Sequence, residues 1–111
     1  MKYFVKRSEK KGTCYHEFYK GKWDGSTFWK EDSIFLHDDV MFEQKGFVEA
    51  MKKVVPHYDS YKETEIKKDE WIKIGTIMQN ADKEAKKLYD EANEWLEQVF
   101  QENNCFTILG L

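Results

Sequence analysis

The densest chemistry in this chain lies at His37, Asp38, Asp39 and Glu43, four titratable side chains within seven positions. Carboxylates at that density can hold a divalent cation or act as acid and base. Asp38 and Asp39 also stand where a helix begins. There a carboxylate accepts the free backbone N–H groups of the first turn and gains from the helix dipole. Capping or a partner contact is therefore the preferred reading, and catalysis the lesser one. Cys14 and His16 are two apart and share a strand face, a spacing open to two metal ligands. No second pair lies nearby, and packing or exposure accounts for both. His57 stands alone. A cysteine nucleophile needs a lowered thiol pKa beside a base, and no such arrangement is visible. The chain contains no G-x-S-x-G, P-loop, H-E-x-x-H or G-x-G-x-x-G. It reads as a protein without catalytic residues, metal or cofactor.

The elements that must position these residues follow from apolar spacing. Residues 2–7 and 13–20 are rich in strand formers and flank a polar turn at Ser8–Gly12, which predicts an N-terminal hairpin. Gly21 and Asp24-Gly25-Ser26 break the chain, and 27–30 and 33–37 read as short strands. From Asp38 or Asp39 a helix runs to Val55, with Phe47, Val48, Met51, Val54 and Val55 on one face and Pro56 ending it. Thr64–Ile66 is a short strand. Asp69 is placed as the N-cap of a helix near 70–79 that Gly75 weakens. Asn80 or Asp82 caps the last helix, whose apolar residues from Ala81 to Phe100 recur at steps of 3, 4 and 1. Asn103 and Asn104 close it with residues that tolerate a left-handed backbone. Cys105–Leu109 is a final strand returning to the N-terminal sheet. Strands first and helices later give an α+β fold, one domain over 1–111: a small antiparallel or mixed sheet, hairpin plus C-terminal strand, against about three helices.

The 111 residues are 16% aromatic and 35% charged, a folded core under a charged surface. Two cysteines are too few for a disulfide framework. The N-terminus lacks the apolar run and cleavage site of a signal peptide, and no stretch approaches a membrane span, so a cytoplasmic protein is expected. Net charge is −3, distributed as +5 over 1–30, −5 over 31–66 and −3 over 67–111. Arg7 is the only arginine. An acidic, arginine-poor chain argues against nucleic acid as main partner and suits a basic protein. The last helix holds Lys83, Lys86 and Lys87 toward its start and Glu91, Glu94, Glu97 and Glu102 toward its end, the reverse of what its dipole favours.

Three pieces carry a resemblance. Tyr58-Asp59-Ser60-Tyr61-Lys62-Glu63-Thr64-Glu65-Ile66 leads into Trp71 on a helix. A long amphipathic helix follows with Trp95 near its end. The chain then closes in Phe106-Thr107-Ile108-Leu109-Gly110-Leu111. Residues 40–111 thus resemble small bacterial immunity proteins of contact-dependent inhibition and polymorphic toxin systems. The resemblance implies a cytoplasmic antidote that binds a cognate toxin C-terminal domain, commonly a nuclease, 1:1. It implies neither catalytic residues nor a nucleic-acid, membrane or small-molecule partner, and it leaves the interface unidentified. On chemistry alone, Asp38, Asp39, Glu43, Asp59, Glu63 and Glu65 are the candidate charged contacts, and Trp23, Trp29 and Tyr58 the aromatic anchors. Thr64, Trp71 and the Ile-Leu ending read as fold residues. Two rivals stay open: a small metal-dependent hydrolase or nuclease using Asp38, Asp39 and Glu43, and an RNA-binding module using Lys2, Lys6, Arg7, Lys10 and Lys11 on the hairpin.

Overall fold

A computed structural model describes residues 1–111. In chain order the elements are β1 (Phe4–Val5), a 3-10 turn (Arg7–Glu9), β2 (Tyr15–Lys20), β3 (Ile34–His37), α1 (Asp38–Glu43), α2 (Lys45–Val54), β4 (Glu63–Lys67), α3 (Lys68–Met78), α4 (Lys83–Glu102) and β5 (Cys105–Leu109). The fold is α+β. All five strands join one antiparallel sheet in the order β1-β3-β2-β5-β4. The last strand returns to the N-terminal strands and lies between β2 and β4, with Phe18 and Thr64 both opposite Ile108.

The hairpin over 2–20 does not form. β1 pairs with β3, Phe4 opposite Leu36, while β2 pairs with β3 and β5. Two carboxylates redirect the segment. Glu9 accepts the Lys6 N–H at 2.8 Å and closes the 3-10 turn. Glu91 of α4 accepts the N–H groups of Lys2, Tyr3 and Phe4 at 2.9, 2.9 and 2.7 Å. Glu91, midway along α4, thus has a function: it ties the N-terminus to the helix. Residues 27–30 are likewise not a strand. Asp24 accepts from the Ser26 and Thr27 N–H groups and Glu17 from those of Trp29 and Lys30, so side chains hold donors a ladder would need.

The helix expected over 38–55 is two helices broken at Gln44. Met41 and Phe47 are both buried but six residues apart, about 1.7 turns, so a continuous helix would aim them apart. The break lets both reach the core. The N-cap of α1 is His37, whose Nδ1 accepts the Asp39 N–H at 3.1 Å, not Asp38 or Asp39. α3 starts at Lys68 with Glu70 accepting the Lys67 N–H at 2.8 Å, which leaves Asp69 in the first turn instead of at the cap. Asp82 caps α4 as expected, accepting from the Ala85 N–H at 3.0 Å. Asn103 ends α4 in extended, not left-handed, backbone, its side-chain amide donating to the Val99 carbonyl.

Both faces of the sheet are covered. Phe4, Phe18, Ile34, Leu36, Ile66, Phe106 and Ile108 pack under the helices against Phe47, Met51, Trp71, Ile74 and Leu96. On the other face Trp29 lies on Phe35, ring centroids 5.6 Å apart, and the Lys10 ammonium sits 3.4 Å from the centre of the Trp29 ring. Thr64, Trp71, Ile108 and Leu109 are all buried, in keeping with fold roles.

Gly75 has a packing reason. A Cβ there would lie 2.3 Å from the Tyr89 hydroxyl. That ring cannot swing away, because it stacks on Trp71 at 4.4 Å and donates to the Trp71 carbonyl at 3.1 Å. Burial, with a contribution from Asp90, pushes the Tyr89 phenol up to about 12, so it remains a donor. Helix propensity favours alanine over glycine by about 1 kcal/mol. We expect Gly75→Ala nevertheless to destabilise the fold by about 1–3 kcal/mol, the usual cost of overpacking. Urea denaturation measures it, and a gain in stability would contradict the close approach.

Candidate partner-binding surface

The nine candidate residues divide by burial. Tyr58 is 6% exposed and belongs to the core, so it is not a surface anchor. Its aromatic neighbour three residues on, Tyr61, is 74% exposed. The turn between them explains the swap. Asp59 accepts the Tyr61 N–H at 2.8 Å and gives its own N–H to the buried Thr64 hydroxyl at 3.4 Å, which turns Tyr61 outward as Tyr58 packs inward. Trp29 is half-buried as a cover on Phe35, its backbone left-handed at φ 58°. Glu65 lies half-buried on β4, at a shallow depression of about 430 Å³ whose other wall is the start of α3.

The remaining candidates lie on or beside one surface with two grooves. The first, about 380 Å³, is bounded by Asp38, Met41 and Phe42 of α1, by Lys45 to Lys52 of α2, and by Ser60 and Tyr61. The second, about 260 Å³, lies between Trp23, Phe28, Tyr61, Glu63, Leu109 and Leu111. Tyr61 borders both. Phe28, Phe42 and Leu111 are exposed on the same two grooves. The charged residues lining the two grooves are Asp38, Glu49 and Glu63 against Lys45, Lys52 and Lys62. Asp39 and Glu43 lie one position round α1 from Asp38 and Phe42 and are both exposed.

Sequence reasoning missed Phe28, Phe42 and Tyr61. One signal for Phe42 is its place next to Met41: adjacent helix positions point about 100° apart, so both cannot be core. Phe28 had its signal in the polar turn cluster around it.

Asp38 is fixed from behind. Its Oδ1 lies 2.8 Å from Nε2 of His16, and the His16 ring is fully buried on β2. Sequence spacing grouped His16 with Cys14, but Cys14 is exposed and both cysteines are free thiols. Asp38, Asp39 and Glu43 do not converge, and no three His, Cys, Asp or Glu side chains come together at a metal-sized position. Of the lysines assigned to an RNA-binding hairpin, Lys10 is folded over Trp29 and Lys2 pairs with Glu84 at 3.5 Å.

The second groove depends on an ordered loop. The Trp23 indole donates to the Thr27 carbonyl at 2.7 Å. The Thr27 hydroxyl and the Thr27 and Ser26 N–H groups hold the Asp24 carboxyl at about 2, below the ordinary 3.8. A folded value below the unfolded one means the loop gains from Asp24 above pH 3.8 and loses that gain as pH falls through about 2. Carboxyl NMR should give an Asp24 midpoint near 2 with the Trp23 indole signal moving alongside, and a midpoint of 3.8 would show an open loop. No helix is long and apolar enough to cross a membrane. Compared with protein-family models, with curated proteins and with solved structures, the chain finds no match.

Proposed function

We propose that the chain is an immunity protein: a cytoplasmic antidote that binds a cognate toxin domain, a nuclease, 1:1 and blocks its activity without chemistry of its own. The observation that carries this reading is the exposed strip of Phe28, Tyr61, Leu111 and Phe42, lined by carboxylates and lysines in equal number. Tight protein interfaces are built around exposed aromatic anchors that become desolvated, with charge at the rim setting encounter rate and partner choice. The acidic balance of residues 31–111 suits the basic surface a nuclease presents to its own substrate. Of the segments that carry the resemblance to immunity proteins, Ser60 to Glu63 and Leu109 to Leu111 line the two grooves.

Co-expression with the product of the neighbouring gene tests the reading. A co-purifying 1:1 complex and rescue of growth from that product's C-terminal domain are expected. Neither complex nor rescue would sink it.

A further inference from the structure

The groove between α1, α2 and the 59–61 turn carries one carboxylate that is held from behind. Asp38 Oδ1 is held by the buried His16 ring, so the carboxylate has one orientation, and Oδ2 is left without a protein donor. Ser60 lines the same groove. Just beneath is the Tyr58 hydroxyl, buried and without a hydrogen-bond partner. Burial pushes the Tyr58 phenol up, the Ser60 side chain opposes this, and Asp38 and Asp59 add a smaller upward push. The walls are aromatic and open: Phe42 is 72% and Tyr61 74% exposed. Lys45, Glu49 and Lys52 line the same groove, and no lysine or arginine pairs with Asp38.

A fixed carboxylate with one free oxygen, lining the same groove as two exposed aromatic rings, suits a planar cation with several donors. Guanidinium meets each requirement: its N–H groups match a carboxylate and its faces stack on aromatic rings. It also tolerates desolvation better than an ammonium. An anion is repelled by Asp38, and a metal ion finds no third ligand. We propose that this groove receives an arginine side chain presented by the protein partner, with Asp38 as its counter-ion. The partner's identity rests on the immunity reading; the groove's preference for guanidinium does not.

The test is an amide NMR titration of the full chain with the peptide acetyl-Gly-Arg-Gly-amide. Its citrulline analogue, the same shape without charge, and its glutamate analogue serve as controls. The arginine peptide should shift Asp39, Phe42 and Tyr61 saturably, with a dissociation constant of about a millimolar. The controls should leave those signals in place. Asp38→Asn can still accept from His16, so it should fold, and it should weaken binding about tenfold, as loss of one charge-assisted contact implies. Phe42→Ala is the second variant and should weaken it several-fold. Equal binding of the citrulline peptide, shifts spread over every acidic patch, or unchanged affinity in both variants would overturn the proposal. If the chain neutralises its toxin while the arginine peptide leaves the groove silent, the arginine site falls and the immunity reading stands. If the peptide binds and the chain neutralises nothing, the reverse holds.

Discussion

Glu17→Ala is expected to lower the unfolding free energy by about 3–5 kcal/mol, the range for breaking a buried charged network by removing one partner. Glu17 is 1% exposed on β2. Its carboxylate accepts the Trp29 N–H at 2.7 Å, the Lys30 N–H at 3.0 Å and the Ser33 hydroxyl at 2.6 Å. The Lys10 ammonium lies near; burial pushes it down and Glu17 opposes that. Alanine would leave three donors unpaired, at about 1–3 kcal/mol for each buried one before relaxation. It would also free Trp29 from its left-handed backbone, whose steric cost the Glu17 bonds help to offset. A domain of this kind is stable by about 5–15 kcal/mol, so the loss is a large share. Thermal unfolding followed by circular dichroism should show a drop of about 15 °C. Glu17→Gln keeps one acceptor but turns a donor toward an N–H, so it should fall between wild type and alanine. Equal, small losses in both would show that the 29–33 loop is held by something else.

Tyr61→Ala and Phe42→Ala should do the opposite: little to the fold and much to binding. Each side chain is more than two-thirds exposed, so its removal should change stability by less than about 0.5 kcal/mol. Central aromatic anchors cost 2 kcal/mol or more on truncation, about thirtyfold in affinity. Neutralising the rim at Asp39, Glu43 and Glu63 should act differently. It should slow association and flatten its salt dependence, with dissociation nearly unchanged. Stopped-flow binding to the toxin domain separates the two classes. If the aromatic variants bind as wild type does, the interface lies elsewhere on the molecule.

Local patterns were readable and distant pairings were not. The α4 periodicity, its Asp82 cap, the burial of Trp71 and the return of β5 to the N-terminal strands all followed from spacing and residue type. These features depend on neighbours within a few positions, or on one hydrophobic run with a single place to go. The pairing of β1 with β3 depends on Glu91, about ninety residues away, and no local signal encodes that contact. β2 reads as a strand, yet Glu17 gives no hint of burial, because its partners come from a loop twelve to sixteen residues on. The candidate surface was half legible. Its carboxylates stood out by charge. Its aromatic anchors did not, because exposed Tyr61 and buried Tyr58 belong to the same short segment and only the Asp59 turn tells them apart.

Titration of inhibition tests the proposed binding role most directly. Nuclease activity of the purified toxin domain is measured while the chain is added in steps. Stoichiometric inhibition predicts a straight fall that reaches zero at one equivalent, and a shallower curve for Tyr61→Ala. Undiminished activity at several equivalents, or nucleolytic turnover by the chain alone, would contradict it.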